Sequence, residues 1–146
     1  MLENLQNKLN YYKIDNFTMN EITLGRKIPK QLLWNIVPTI RVLQELRNWY
    51  NKPIIINSSY RSPAYNKLVG GSKNSLHLDF NAIDFTVKDR DDLKELFLQL
   101  DKWDKEYYFQ FLPKAGAMGI GFYKDRFIHL DTRATLKRIS PARWSE

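Results

Sequence analysis

The sequence predicts an α+β fold, a small single domain over residues 1–146 with a central antiparallel sheet flanked by helices. Three observations carry that expectation. A 3.6-residue apolar rhythm runs from Leu32 to Tyr50, short strand-like runs bounded by turn residues follow it, and the last two runs are joined by a tight turn as in a hairpin. The length of 146 residues suits one domain, and 43% hydrophobic with 14% aromatic residues is enough to build a core. A charged fraction of 27% beside that aromatic content argues against disorder.

The elements follow in order. The chain starts with a polar, amphipathic stretch, and in Phe17–Ile22 the pair Thr18 and Glu21 has the spacing of a capping box. After Pro29, residues Leu32, Leu33, Ile36, Val37, Ile40, Leu43, Leu46, Arg47 and Tyr50 form one apolar stripe at helical spacing. Pro38 lies inside it and predicts a kink or a break into two helices, because its ring removes a backbone donor. Lys52-Pro53 ends the helix, and Ile54–Ser58 reads as a short buried strand. Ser59–Asn74 reads as a loop punctuated by Pro63, Gly70, Gly71 and Ser72. A second strand is expected over Asn81–Val87. Asp89–Leu100 then reads as an amphipathic helix with Leu93, Leu96, Phe97 and Leu100 on one face. Gly119–Tyr123, a turn at Lys124-Asp125 and Arg126–Asp131 complete a terminal hairpin.

Composition removes several chemistries. With no cysteine there is no disulfide framework, no thiolate nucleophile and no cysteine-ligated zinc or iron–sulfur site. Metal or nucleophilic chemistry is left to His, Asp, Glu, Ser or water, and there are only two histidines. The polar start does not read as a secretory signal, and no apolar run approaches the roughly 18 residues of a membrane span. The net charge, 23 − 16 = +7, suits an anionic partner such as nucleic acid, lipid headgroups or a cell-wall polymer, and equally a surface kept basic for solubility. No Gly-rich phosphate loop, helix-turn-helix or aromatic RNA-binding motif is found, so nucleic acid is not the expected partner.

Both histidines sit beside aspartates in strand-like surroundings. Period-two alternation puts Ala82, Asp84 and Thr86 on one face of the second strand, and Phe127, His129 and Asp131 on one face of the last. A buried Asp84 needs a partner, and a cation is the simplest. His77, Asp84 and His129 converging from neighbouring segments would make a three-ligand zinc site with one open position. Each residue alone also has an ordinary explanation: a loop histidine, a satisfied strand histidine, an aspartate capping a turn.

The pattern Ser75-x-His77-x-x-x-x-Ala82-x-Asp84, followed by Phe127-Ile128-His129-Leu130-Asp131-Thr132-Arg133, resembles the M15 family of zinc D-Ala-D-Ala carboxypeptidases and peptidoglycan endopeptidases, in the branch that includes phage endolysins and small murein peptidases. Phe17–Glu21, Lys52–Ile54, Ser59–Pro63, Val69–Ser72, Gly119-Ile120-Gly121-x-Tyr123 and Ala142–Trp144 also match that branch in order. The resemblance implies the hedgehog/D-Ala-D-Ala-peptidase-like fold and one zinc ion held by His77, Asp84 and His129. It further implies that Arg61 grips the substrate carbonyl or its oxyanion and that Ser75 orients substrate or ligand. Two positions depart from the family. Phe80 replaces the usual Gly, so an ordinary backbone and a bulkier pocket wall are expected there. Arg126 stands where many relatives carry a catalytic Glu, on the face opposite His129. Asp131 is then the first candidate for proton transfer and Asp125 the second.

The function so implied is a zinc peptidase acting on bacterial peptidoglycan, as an endolysin-like endopeptidase or a D,D-carboxypeptidase. The expected setting is the host cytoplasm until release to the wall, or a virion. A monomer is expected unless the chain is part of a virion. The alternative is a phage virion or tail module, structural or wall-binding, that keeps the peptidase fold.

Overall fold

The computed structural model describes residues 2–146, with side chains from residue 4 onward; Met1 lies outside the described residues. Helix α1 (Leu2–Tyr11) buries Leu5 and Leu9, four residues apart on one face. Helix α2 (Met19–Thr23) opens on the expected capping box. Thr18 Oγ1 accepts from Glu21 N at 3.1 Å, and Glu21 Oε1 accepts from Thr18 N at 3.0 Å. Pro38 gives the break: Lys30–Ile36 wind as a 3-10 helix, and α3 (Val37–Tyr50) begins with Pro38 in its first turn. There the missing N–H is one the helix would leave unpaired anyway.

The remaining elements are β1 (Ile55–Ser58), α4 (Pro63–Leu68), β2 (Ala82–Thr86), α5 (Leu93–Lys105), β3 (Gly119–Tyr123), β4 (Phe127–Asp131) and β5 (Ala142–Ser145). Short 3-10 turns at Arg90–Asp92 and Arg133–Leu136 precede α5 and follow β4. The five strands form one sheet in the order β1-β2-β4-β3-β5. The first four pair antiparallel, and β5 joins β3 in parallel as an edge strand.

Two expectations need correction. The segment read as a loop contains α4, which Ser62 caps by accepting from Tyr65 N at 3.1 Å, with Pro63 in the first turn. The terminal Ala142–Trp144 is strand β5, so the sheet is not wholly antiparallel.

One face of the sheet carries Ile83 and Phe85, Leu130 and Ile128, and Ile120. All are fully buried in a core shared with Ile40, Leu43 and Leu46 of α3 and Leu93, Leu96 and Leu100 of α5. Helix α5 packs on β3 and β4. Arg143 of β5 also faces this side, since it is level with Ile120. It bonds Asp101 at 2.8 Å and Asp104 at 2.6 Å on α5. Asp104, itself buried, accepts from the backbone N–H groups of Ala117 and Met118 and so anchors the entry to β3. With helices and core on one face, the opposite face is left for Asp84 and His129.

Candidate metal centre

The sheet register sets one row of residues across four strands. Asp84 of β2 lies opposite His129 of β4, His129 opposite Gly121 of β3, and Gly121 level with Trp144 of β5. Gly121 has no side chain because the Trp144 indole occupies that space; a Cβ there would collide with the ring. The indole thus reaches His129, with ring centroids 4.9 Å apart.

His77 joins the row from outside the sheet. It sits in a run of turns between α4 and β2, with Arg61 N donating to the His77 carbonyl at 3.0 Å and Ser75 Oγ accepting from His77 N at 3.2 Å. His77, Asp84 and His129 are all buried, and one ligand atom from each lies within 4.8 Å of the others.

The placement of protons shows what this centre suits. His77 Nδ1 is 2.6 Å from the Ser59 carbonyl, which can only accept, so Nδ1 carries the hydrogen and Nε2 the lone pair of the neutral ring. His129 Nε2 is 2.7 Å from Asp131 Oδ2, which likewise fixes the hydrogen on Nε2 and leaves Nδ1 inward. His77 Nε2 and His129 Nδ1 then both face Asp84 Oδ1, at 3.1 Å each. Three electron-pair donors converging inside a protein are satisfied by a proton or by a metal cation. Two imidazoles and one carboxylate are the donor set that suits zinc with an open coordination position.

The electrostatics agree. Burial opposes ionisation of Asp84, yet its contacts with the His129 and His77 imidazoles hold its carboxyl well below the usual carboxylate range. Burial likewise opposes charge on His129, but Asp131 and Asp84 outweigh it and push the imidazole up to about 9. In the metal-free chain a proton therefore stands on His129 between two carboxylates, in the place a divalent cation would take.

The centre lies in a groove of about 630 Å³. Arg61 lines it, with Nη2 3.6 Å from Asp84 Oδ2 and Nη1 donating to Asn66 Oδ1 at 3.4 Å. Asn66, buried on α4, also donates to the Ser72 carbonyl at 2.9 Å and so ties the Gly70–Ser72 turn to Arg61. Ser75 lines the groove beside His77.

The two carboxylates named from sequence as proton acceptors lie elsewhere. Asp131 is fully buried behind His129. Its Oδ1 accepts from Gly119 N, Arg133 N and Arg133 Nε, and its Oδ2 accepts from Arg133 Nη2 and His129 Nε2. Burial raises its pKa, but His129 and Arg133 hold it down to about 2. Asp125 is exposed in the β3–β4 turn, with its carbonyl accepting from Arg90, and it does not line the groove. Arg126 is exposed in the same turn, its guanidinium over the Tyr123 and Phe127 rings at 5.7 and 5.3 Å.

Phe80 differs from expectation in both respects. Its backbone is left-handed, with φ of +51°, and its ring is fully buried in the core beside Tyr60 rather than in the groove wall. The turn keeps the left-handed conformation that a Gly would take at no cost. Core packing of the ring offsets the roughly 1–2 kcal/mol that an L-residue loses there.

Several contributors carried no signal on their own in the sequence. The Ser59 carbonyl is one, since any residue type supplies it. Trp144 and Arg133 act through register and a bidentate contact that only the paired strands create. Asn81, Thr39 and Thr132 form a buried polar knot: Asn81 Oδ1 accepts from Thr132 N at 3.1 Å, and Thr39 Oγ1 donates to the Asn81 carbonyl at 2.7 Å. It ties α3 to the turn holding His77. The glycines of Gly119-Ile120-Gly121 were the available hint that something large covers β3.

Comparison with known proteins agrees with this geometry. A model of the family described as Peptidase M15 matches residues 15–131, a span containing Arg61, Ser75, His77, Asp84, His129 and Asp131. A search of curated proteins finds no match.

Proposed function

We propose that this chain, which belongs to the Peptidase M15 family over residues 15–131, is a zinc-dependent metallopeptidase that hydrolyses a peptide bond in the stem or crosslink of bacterial peptidoglycan. The observation that carries the reading is the convergence of His77 Nε2, Asp84 Oδ1 and His129 Nδ1, with the outer nitrogen of each ring already bonded to the protein. These three atoms would hold the zinc, which when bound supplies Lewis acidity for a carbonyl and for water. Arg61 presents a fixed, permanently charged fork at the mouth of the centre, suited to the carbonyl oxygen as negative charge builds on it. Ser75 keeps the His77 turn in place by accepting from its N–H, and its own O–H remains to meet substrate. Asp131 acts here as a positioning residue, because Gly119, Arg133 and His129 already engage both its oxygens.

The wider setting follows from the same reading. A phage endolysin that meets peptidoglycan after the membrane is opened fits the resemblance, and the charge of +7 favours adsorption to an anionic wall. Among the described residues no helix is long and apolar enough to cross a membrane. A wall-binding virion module is the second reading. It is favoured by one observation: among the described residues, Asp84 is the only carboxylate lining the groove. A zymogram on purified cell walls separates the two. Zinc-dependent clearing that is lost in His77→Ala supports the peptidase, and wall binding without clearing supports the module.

A further inference from the structure

We propose that Tyr123 is a catalytic residue of the groove, its phenol O–H donating to the nitrogen side of the peptide bond being cut. The inference rests on the peptidase reading and deepens it. It starts from one hydrogen bond whose direction is not open to choice. Trp144 Nε1 lies 2.9 Å from Tyr123 Oη, and an indole nitrogen only donates, so Tyr123 accepts through a lone pair and keeps its own proton. Among the described residues no other hydrogen bond involves that hydroxyl. The phenol lines the same groove as His77, Asp84 and His129, and stacks on Phe127 with centroids 4.2 Å apart and planes 15° apart. Packing therefore fixes the ring, while the accepted indole bond polarises the O–H and makes it a better donor.

Topology says which part of a substrate it meets. Arg61 follows β1, Asp84 lies on β2, His129 on β4 and Tyr123 on β3, so Arg61 and Tyr123 flank the centre from opposite sides of the sheet order. A peptide bond laid over the centre with its carbonyl oxygen toward Arg61 turns its nitrogen toward Tyr123. A planar amide nitrogen is a poor acceptor because its lone pair is delocalised. Once the carbon becomes tetrahedral, the lone pair is localised and accepts well. Tyr123 thus gains its partner only as the bond is broken, which is the condition for raising turnover rather than binding. Ser72 and Ser75, the other hydroxyls lining the groove, each accept from a backbone N–H of their own turn, whereas Tyr123 is a phenol, a stronger donor than an aliphatic hydroxyl. Among the described residues the groove has no second carboxylate to do this work.

The test uses the full-length, zinc-loaded chain and soluble crosslinked muropeptides released from purified cell walls by a muramidase. Tyr123→Phe keeps the ring stack and removes only the hydroxyl. The expected result is a kcat lowered about 10- to 100-fold, the scale of one lost hydrogen bond to a charge-developing group. KM and zinc affinity are expected to stay within about twofold. An unchanged kcat, or a raised KM alone, overturns the proposal. A wild type that releases no new amino termini contradicts the peptidase reading itself, which keeps the two failures distinct. A readout independent of activity is the Trp144 indole N–H resonance, assigned by Trp144→Phe. It is expected to move upfield in Tyr123→Phe as its acceptor is lost, and an unmoved resonance overturns the contact on which the proposal stands.

Discussion

Asp131 holds His129 from behind: Asp131 Oδ2 accepts from His129 Nε2 at 2.7 Å, while the Arg133 guanidinium grips both oxygens of the same carboxylate at 3.0 and 2.9 Å. This chain of contacts fixes which nitrogen of His129 carries hydrogen and turns the other toward Asp84 and His77. Arg133 also lies over the Trp144 ring at 5.6 Å, so the support behind His129 and the ring beside it belong to one packed unit.

Asp131→Asn is expected to weaken zinc binding about 10- to 100-fold without abolishing it, since an amide no longer favours the hydrogen on Nε2. Asp84→Asn removes a ligand and is expected to abolish stoichiometric binding. Competition against a chromophoric chelator measures both. Equal affinity in Asp131→Asn and wild type would show that the carboxylate does not orient the ring.

Metal binding at this centre is expected to depend on pH. His129 in the metal-free chain is raised to about 9, above its ordinary value of 6.5, so near neutral pH it carries the proton that a metal must displace. Apparent zinc affinity is therefore expected to rise with pH, approaching tenfold per unit between pH 6 and 8. Titrations in buffers of matched zinc affinity test this, and a flat profile over that range contradicts the proton placement.

Gly121→Ala places a methyl group where the Trp144 indole lies. The ring must move off His129, and a loss of about 1–3 kcal/mol is expected from overpacking. Urea unfolding with tryptophan emission as probe reads this. A variant as stable as wild type would mean that the indole can leave its seat freely.

Phe80→Gly separates two opposing effects. Relief of the left-handed backbone at φ +51° favours the variant by about 1 kcal/mol. Loss of a fully buried ring disfavours it by about 3–5 kcal/mol, so a net loss of roughly 2–4 kcal/mol is expected. Greater stability of the variant would show strain outweighing packing.

Much of this was legible in the residues, for identifiable reasons. The capping box at Thr18 and Glu21, the break at Pro38 and the β3–β4 hairpin are local signals, and local chemistry decides them. Alternation put Asp84 on one face of its strand and His129 on one face of its own, and the register of the paired strands then set them opposite each other. What stayed hidden depends on pairing between distant segments. β5 is four residues long and is held by pairing with β3 and by Arg143 on α5, all contacts between distant segments, so Trp144 could not be linked to His129 in advance. Helix α4, at six residues, was masked by the Pro and Gly residues around it, although Ser62-Pro63 is a helix start in miniature. The conformation of Phe80 stayed hidden because residue type alone points to an ordinary backbone, whereas the turn is left-handed there and the ring packs into the core.

The most direct test of the central claim is mass spectrometry of muropeptides after incubation of purified peptidoglycan with metal-depleted chain, zinc-restored chain and zinc-restored His77→Ala. The expected result is new free amino and carboxyl termini at one peptide linkage, formed only by the zinc-restored wild type with one zinc per chain. An unchanged muropeptide profile with stoichiometric zinc bound, or equal cleavage by His77→Ala, would contradict it.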